Sequence, residues 1–149
     1  MENLYGRHFH SAYSVQIPIQ KIGRLPMKAN EDDACFDCFA NIAEPITIRP
    51  GTPTKIPLGF AVSLPRGWKA ELHPRSGNAL KGIHVHPGII DCRFHDEVQA
   101  ILFLSCWCPI EILPGDRVCQ ISFSLVEVVS FSEIENLPAG RGGFGSTGR

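Results

Sequence analysis

The chain has 149 residues, of which 44% are hydrophobic and 19% are charged, and its formal net charge at pH 7 is -1. This length suits one domain with its own core, and the near-neutral charge argues against a general nucleic-acid binder, which normally carries a basic excess. The 14 glycines and 12 prolines are spread along the chain. Because interior proline breaks helices, they exclude a helical bundle and predict short strands joined by turns.

The predicted elements follow the apolar pattern in chain order. Strands are expected at 15–19, 46–49, 54–58, 59–64, 68–72, 98–108 and 119–125. The run 98–108 is apolar enough for a strand buried on both faces, whereas 119–125 alternates and should have one face on a core. A change of phase at 126–128 predicts a bulge, and only 76–81 resembles a helix, of one or two turns. Short, evenly spaced strands predict a barrel or a jelly-roll-like sandwich.

The last eleven residues differ in composition, because five of them are glycine. Such a segment cannot build a strand or helix alone, so it should be a mobile tail or a segment that orders on a ligand. We therefore predict a β domain over 1–138 and a mobile C-terminal lid segment over 139–149.

Membrane and export signals are missing from the sequence. No run approaches the ~20 apolar residues that a spanning helix needs, and the first 20 residues lack an apolar signal core. We expect a protein that does not bind membranes and is not secreted. Its expected location is the cytoplasm, or the nucleus or host-cell interior if it is viral.

The six cysteines form a C-x2-C pair and a C-x-C pair among others. Without an export signal we expect free, mostly buried thiols. Structural zinc is the alternative, although the second pair is one residue short of the usual zinc spacing. The six are Cys35, Cys38, Cys92, Cys106, Cys108 and Cys119.

Two segments combine charge with a site for an anion or a metal. Residues 32–37 hold three aspartates, which a solvated turn would also explain. Residues 74–77 place Pro-Arg-Ser-Gly at the predicted helix start, where backbone N–H groups and the helix dipole favour an anion. A simple helix cap is the alternative there.

Two further segments offer a base and an amide. Asp91 ends an apolar run. It is either a turn former or, if a phosphate site lies next to it and a water is within hydrogen-bond reach, a base. Residues 115–117 predict a hairpin turn, and Gln120 shortly after can donate to an anion. His84 and His86 alternate on a predicted hairpin, where a solvated face is the alternative to a metal role.

The glycine-rich tail could cradle phosphate through its backbone N–H groups, with hydroxyls from Ser146 and Thr147. It lacks the Gly-Lys-Ser/Thr ending of a P-loop. Phe144 has no core to join within a glycine run, so stacking on a flat ligand is its expected role.

Taken in order, these segments resemble the trimeric deoxyuridine triphosphatase (dUTPase) family over nearly the whole chain. Five ordered motifs carry the resemblance, at 33–40, 74–77, 88–94, 115–120 and 142–148. It implies a jelly-roll-like distorted β-barrel of the β-clip type with one short helix. It also implies a homotrimer with shared active sites, no nucleic-acid partner, and hydrolysis of dUTP to dUMP and pyrophosphate with Mg2+.

The resemblance also implies a role for each matching residue. Asp91 would be the base that orients the attacking water, Phe94 would lie under the deoxyribose and exclude a 2′-hydroxyl, and Asp37 would sit near the metal through water. Phe144 would stack over uracil. The substrate-binding set would be Arg75, Ser76, Gly77, Gly88, Phe94, Gln120, Arg141, Phe144, Gly145 and Ser146.

Four departures from the family pattern bear on these roles. Cys35 stands where the family usually has Gly, Phe94 replaces Tyr, and the hairpin 82–88 is shorter than usual. Ala139 occupies the place of a tail arginine, so Arg141 or Arg149 would hold the γ-phosphate instead.

Two other functions remain open. A dCTP deaminase, or a bifunctional dCTP deaminase/dUTPase, shares this fold and would need a glutamate for amine chemistry, for which Glu97 is the candidate. A non-catalytic nucleotide-binding regulatory homologue is the second alternative. Asp91 argues against it, since binding alone does not need that carboxylate.

Overall fold

The computed structural model describes residues 15–138. Within this range the chain forms eleven strands and one helix. They are β1 (Ile19–Lys21), β2 (Phe36–Phe39), β3 (Ile46–Ile48), β4 (Thr54–Pro57), β5 (Phe60–Val62), β6 (Trp68–His73), α1 (Ser76–Ala79), β7 (Ile83–Val85), β8 (Gly88–Asp91), β9 (Gln99–Leu104), β10 (Ile110–Ile112) and β11 (Arg117–Leu125). The predicted all-β class with one short helix is confirmed.

The described strands belong to four antiparallel sheets and do not close into one barrel. Their orders are β1-β5, β10-β3, β2-β11-β6-β8 and β4-β9-β7. In the described range no strand pairs with the next strand of the chain. The predicted turn at 115–117 therefore joins strands of different sheets and is not a hairpin. Residues 86–87 also join strands of different sheets and are not a hairpin turn, because β7 pairs with β9 and β8 pairs with β6.

The sheets enclose one core of apolar side chains. Its largest fully buried members are Phe60, Ile48, Ile56, Leu58, Leu102 and Ile121. Strand β11 buries Cys119 and Ile121 as predicted, but Phe123 on the same face is only half-buried and Leu125 is exposed. The expectation that 98–108 is buried on both faces is wrong, because β9 is shorter and its residues alternate between exposed and buried.

Several predicted boundaries also move. The first strand begins at Ile19, not at residue 15, and pairs with β5. Strand β2 begins at residue 36, inside the acidic segment that resembled a turn, because β11 supplies its hydrogen-bonding partner. The register shift falls between Arg117 and Cys119, so the bulge expected at 126–128 is wrong. At that point the chain has already left the sheet.

The six thiols are unpaired, as predicted, with Cys38 and Cys119 buried and Cys108 exposed. Within residues 15–138, no helix is long and apolar enough to cross a membrane.

Gly59 lies at a crowded junction next to the core. Its N–H donates to Glu97 Oε1 at 2.8 Å, and its carbonyl accepts from the N–H groups of Ile22 and Gly23. Its φ is +79°, and an added Cβ would lie 3.1 Å from backbone atoms of Gly23 and Arg24. The junction therefore needs glycine for both conformation and space.

Gly67 provides a matched comparison, because its φ is +82° but an added Cβ would meet nothing within 4 Å. Both Gly→Ala changes should incur the left-handed strain of about 1–2 kcal/mol. Gly59→Ala should lower the free energy of unfolding more than Gly67→Ala does, by about 1 kcal/mol or more, because only Gly59 is crowded. Urea unfolding of the two variants at equal protein concentration measures the difference, and equal destabilisation would contradict the crowding argument.

Candidate functional site

The outer face of the sheet β2-β11-β6-β8 carries the polar residues of the site. Asp37 lies opposite Gln120 on β11, and Gln120 lies opposite His73 on β6. Because strand residues alternate between faces, Asp37 and Gln120 face outward while the neighbouring Cys38 and Cys119 are buried in the core. The pairing thus brings residues 83 positions apart in the chain side by side.

Asp37 binds two arginines. Its Oδ1 accepts from Arg75 Nε at 2.7 Å, while its Oδ2 accepts from Arg75 Nη2 at 3.4 Å and from Arg117 Nη1 at 3.2 Å. The Asp37 side chain is 13% exposed, against 25% for Arg75 and 51% for Arg117. A bidentate carboxylate–guanidinium pair fixes geometry as well as charge. Asp37 therefore orients both cations and leaves part of each exposed.

Next to this cluster lies an open cavity of about 750 Å³, which we call the Arg75 cavity. Its volume is in the range of small-molecule sites. Five of the predicted residues meet in its wall, namely Asp37, Arg75, Ser76, Gly77 and Gln120. An added Cβ at Gly77 would meet nothing within 4 Å. Crowding within the chain therefore does not require glycine here, and the absence of a side chain leaves this part of the cavity free.

Side-chain amides fix the segment that carries Arg75. Asn78 Nδ2 donates to the carbonyls of Arg117 and Val118 at 3.0 and 3.1 Å. Gln120 Nε2 donates to the Pro74 carbonyl at 3.0 Å. These bonds hold the start of α1 against β11. At the start of a helix, the first backbone amides lack intrahelical partners. The N–H groups of Ser76 and Gly77 are therefore available to an anion.

Sequence reasoning missed Arg117 and Asn78. Arg117 lies inside the motif 115–120, but only the pairing of β2 with β11 shows that it contacts Asp37. Asn78 follows the motif 74–77 directly. No local signal identified the carbonyls that it binds.

The charges around the Arg75 cavity balance. Two arginines, Arg75 and Arg117, and two aspartates, Asp33 and Asp37, line it. The backbone N–H of Asn30 donates to Asp33 Oδ2 at 2.8 Å, and this bond is the main cause that lowers the pKa of Asp33. The Asp33 carboxyl therefore stays ionised at neutral pH. A polyanion bound in the Arg75 cavity would need positive charge beyond that of Arg75 and Arg117.

The residues of the Arg75 cavity fit Mg2+ through a water molecule between the metal and Asp37. Mg2+ usually binds through one or two carboxylates, several waters and substrate phosphates. Asp37 already accepts from two arginines, so a contact with a metal through water, which the resemblance implies, would be compatible with these bonds. Among residues 15–138, no group of three or more His, Cys, Asp or Glu side chains could hold a metal by itself. The zinc alternative for the cysteines therefore has no support there.

Asp91 and Phe94 lie at another corner of the same sheet, whereas Gly88 begins β8 at its other end, opposite Leu72. Asp91 ends β8, is exposed, and pairs with Lys69. The Phe94 N–H donates to the Asp91 carbonyl at 3.0 Å, so the two residues share one tight turn, and Phe94 is 39% exposed. None of these three residues lines the Arg75 cavity.

The strand register gives the distance between the two groups. Asp37 and Asp91 lie on strands three spacings apart, and their β6 partners, His73 and Lys69, lie four residues apart. With strands ~4.8 Å apart and ~3.3 Å per residue, the two Cα atoms are about 20 Å apart. One chain therefore does not bring Asp91 to a phosphate in its own Arg75 cavity.

Other candidates are placed elsewhere. Glu97 Oε1 accepts from Asn41 Nδ2 at 3.0 Å and from the Gly59 N–H, which assigns this carboxylate to the junction described above. His84 Nε2 lies 2.8 Å from Ser105 Oγ. The predicted tail residues lie outside the described range, and these are Arg141, Phe144, Gly145 and Ser146.

Comparison with known proteins identifies the family. The family model for dUTPase matches residues 22–148. The chain belongs to the dUTPase family. It is 38% identical over 143 residues to a deoxyuridine 5′-triphosphate nucleotidohydrolase of Gloeobacter violaceus, covering 90% of this chain and 97% of the relative. A relative of the same description from Corynebacterium diphtheriae is 40% identical over 131 residues, covering 83% and 85%.

Solved structures of family members share the fold. A Staphylococcus bacteriophage 80alpha dUTPase mutant with dUpNHpp superposes with a TM-score of 0.75 at 20% identity, covering 91% of this chain and 99% of that one. A mutant dUTPase from phage phi11 of S. aureus, described with a structural Mg(II) ion, gives a TM-score of 0.72 at 20% identity, covering 82% and 98%. The predicted jelly-roll-like β-clip fold is thereby confirmed.

Asp37→Asn tests the arginine cluster of this family member. The change leaves Arg75 and Arg117 without their countercharge, so the free energy of unfolding should fall by about 1–3 kcal/mol. Asp32→Asn, an exposed neighbour, is the control and should change it by less than about 0.5 kcal/mol. Urea unfolding measures both, and equal midpoints would show that Asp37 does not hold the cluster together.

Proposed function

We propose that this chain hydrolyses dUTP to dUMP and pyrophosphate. The observation that carries the proposal is the Arg75 cavity of a dUTPase family member, in which a carboxylate orients two guanidinium groups beside free helix amides. Guanidinium and N–H donors suit phosphate oxygens. Because phosphoryl transfer depends mainly on positioning and charge stabilisation, a preorganised set of donors supplies much of what catalysis needs.

Asp91 acts as the base in this proposal. Its carboxylate accepts a proton from a water as the water oxygen attacks the α-phosphorus, and the bond from that phosphorus to the bridging oxygen breaks to release pyrophosphate. Asp91 is exposed and can therefore reach a water in a neighbouring cavity. The ring of Phe94, in the same turn, offers an apolar face for the deoxyribose, where a 2′-hydroxyl would lose its hydrogen bonds.

Mg2+ completes the charge balance. When bound, it neutralises part of the triphosphate charge and orients the phosphates. Asp37 would hold one of its waters, because the carboxylate oxygens already accept from Arg75 and Arg117.

The separation of about 20 Å between the two groups leads us to propose shared sites in a homotrimer. In this assembly, the Arg75 cavity of one chain receives Asp91 and Phe94 from another. Exposed apolar side chains also favour association, since a monomer rarely leaves so many in one segment. After β11, residues 126–138 form no strand or helix, and Phe131 and Leu137 are 97% and 81% exposed.

We further propose that the tail closes the site. Phe144 would stack on the base, Gly145 and Ser146 would donate to phosphates, and Arg141 would contribute charge. A closing segment would exclude water other than the nucleophile.

The deaminase alternative has less support. It requires a free glutamate, and the Glu97 carboxylate is occupied by the Gly59 N–H and Asn41. The geometry therefore favours phosphate chemistry over amine chemistry.

A substrate panel tests the reaction. With Mg2+, pyrophosphate should be released from dUTP and much more slowly from UTP, dTTP and dCTP, and dCTP should yield no ammonia. Asp91→Asn should lower kcat with dUTP by about 100-fold or more, since general bases contribute this much, and it should leave the assembly intact. Ammonia from dCTP, or parental turnover in the variant, would contradict the proposal.

Mixed assemblies test the sharing of sites. Arg75→Gln and Asp91→Asn should each be inactive alone. In randomly mixed trimers, about a quarter of the sites would combine an intact Arg75 cavity with an intact Asp91, because each site draws on two chains. Activity should therefore reappear when differently tagged variants are co-expressed. If the mixture only reproduces the sum of the two variants, both groups act within one chain.

A further inference from the structure

A second cavity lies beside the Arg75 cavity. Its volume is about 370 Å³, which we call the Arg24 cavity, and this volume also suits a small ligand. The two cavities share Ala29, Asp37 and Arg117 in their walls. The Asp37–Arg117 ion pair therefore forms part of the boundary between them.

Arg24 supplies an unused cation to this second cavity. Its guanidinium carbon lies 3.7 Å from the centroid of the Phe39 ring, and a stacked arginine keeps its donors in a fixed plane. Within residues 15–138 its side chain donates to Met27 Sδ at 3.4 Å and enters no ion pair. A thioether is a weak acceptor, so most of the five N–H donors remain available.

Two carboxylates, Asp37 and Asp116, balance the charges of Arg24 and Arg117 in this cavity, so a diphosphate bound here would need a cation as well, as in the Arg75 cavity. Asp116 Oδ2 accepts from the Leu113 N–H at 2.8 Å, and Asp37 accepts from Arg75 and Arg117. Arg117 uses only Nη1 on Asp37 and is half exposed. Two guanidinium groups with spare donors thus line the same cavity, and paired guanidinium forks match the oxygens of phosphate groups.

We infer that the Arg24 cavity binds a diphosphate group, with Arg24 and Arg117 as its ligands. This inference rests on the proposed function. The group is the terminal diphosphate of the nucleotide before cleavage, or the free pyrophosphate that leaves after it. Arg24 would then extend the phosphate site past the Asp37–Arg117 pair, and the Arg24 cavity would be the route by which pyrophosphate leaves.

Calorimetric titration with three probes tests this assignment: inorganic pyrophosphate, a non-hydrolysable imido analogue of dUTP, and dUMP. Arg24→Gln should weaken binding of the first two by about five- to tenfold, as expected for the loss of a charge-assisted contact. It should leave dUMP binding unchanged, because dUMP lacks the terminal diphosphate. Arg24→Lys should restore part of the affinity, since it keeps the charge without the planar fork.

Arg66→Gln is the matched control. It removes one exposed arginine charge from the 65–67 turn, and Arg66 does not line the cavity. It should leave all three affinities unchanged.

The probes separate the two sources of the diphosphate. If Arg24→Gln loses affinity for pyrophosphate alone, the cavity binds the product. If it also loses affinity for the dUTP analogue, the cavity binds the terminal diphosphate of the substrate too. The inference is overturned if Arg24→Gln binds both probes like the parent, if Arg66→Gln loses as much, or if dUMP binding falls equally. None of these results depends on turnover, so they leave the proposed reaction to be judged by the substrate panel.

Discussion

The register of β11 between β2 and β6 is the constraint on which the site depends. Strand β11 pairs with both neighbours, and alternation along it sends Cys119 and Ile121 into the core and Gln120 outward. A slip of one residue would exchange these faces, so core burial fixes the register. The same register sets Asp37 beside Gln120 and directs the end of β6 toward Arg75.

Beneath the polar cluster, two thiols form part of the core. Cys38 and Cys119 lie opposite each other and are fully buried. Their mutual hydrogen bond, together with burial, raises the pKa of the Cys38 thiol. Since the thiolate is the reactive form, the Cys38 thiol is unreactive at neutral pH, and both residues pack the sheet beneath Asp37.

The arrangement of the outer face is the reason for proposing a site shared between chains. Asp37 orients two arginines while offsetting one of their two positive charges, which preorganises donors before a ligand arrives. Asp91, which we propose as the base, stands at the far corner of the same sheet, paired with Lys69. Because a rigid sheet cannot fold these corners together, we propose that a second copy of the chain supplies Asp91.

The sequence by itself determined the strand-rich class, the single short helix, the buried face of β11 and the residues that gather around Arg75. Local alternation, turn residues and motif order carry that information. The structure alone decided which strands pair, because in the described range every pairing joins strands that are not consecutive in the chain. It therefore revealed that β2 begins in an acidic segment, that Arg117 contacts Asp37 and that Asp91 lies far from both. These depend on contacts between distant segments, and no local pattern encodes them.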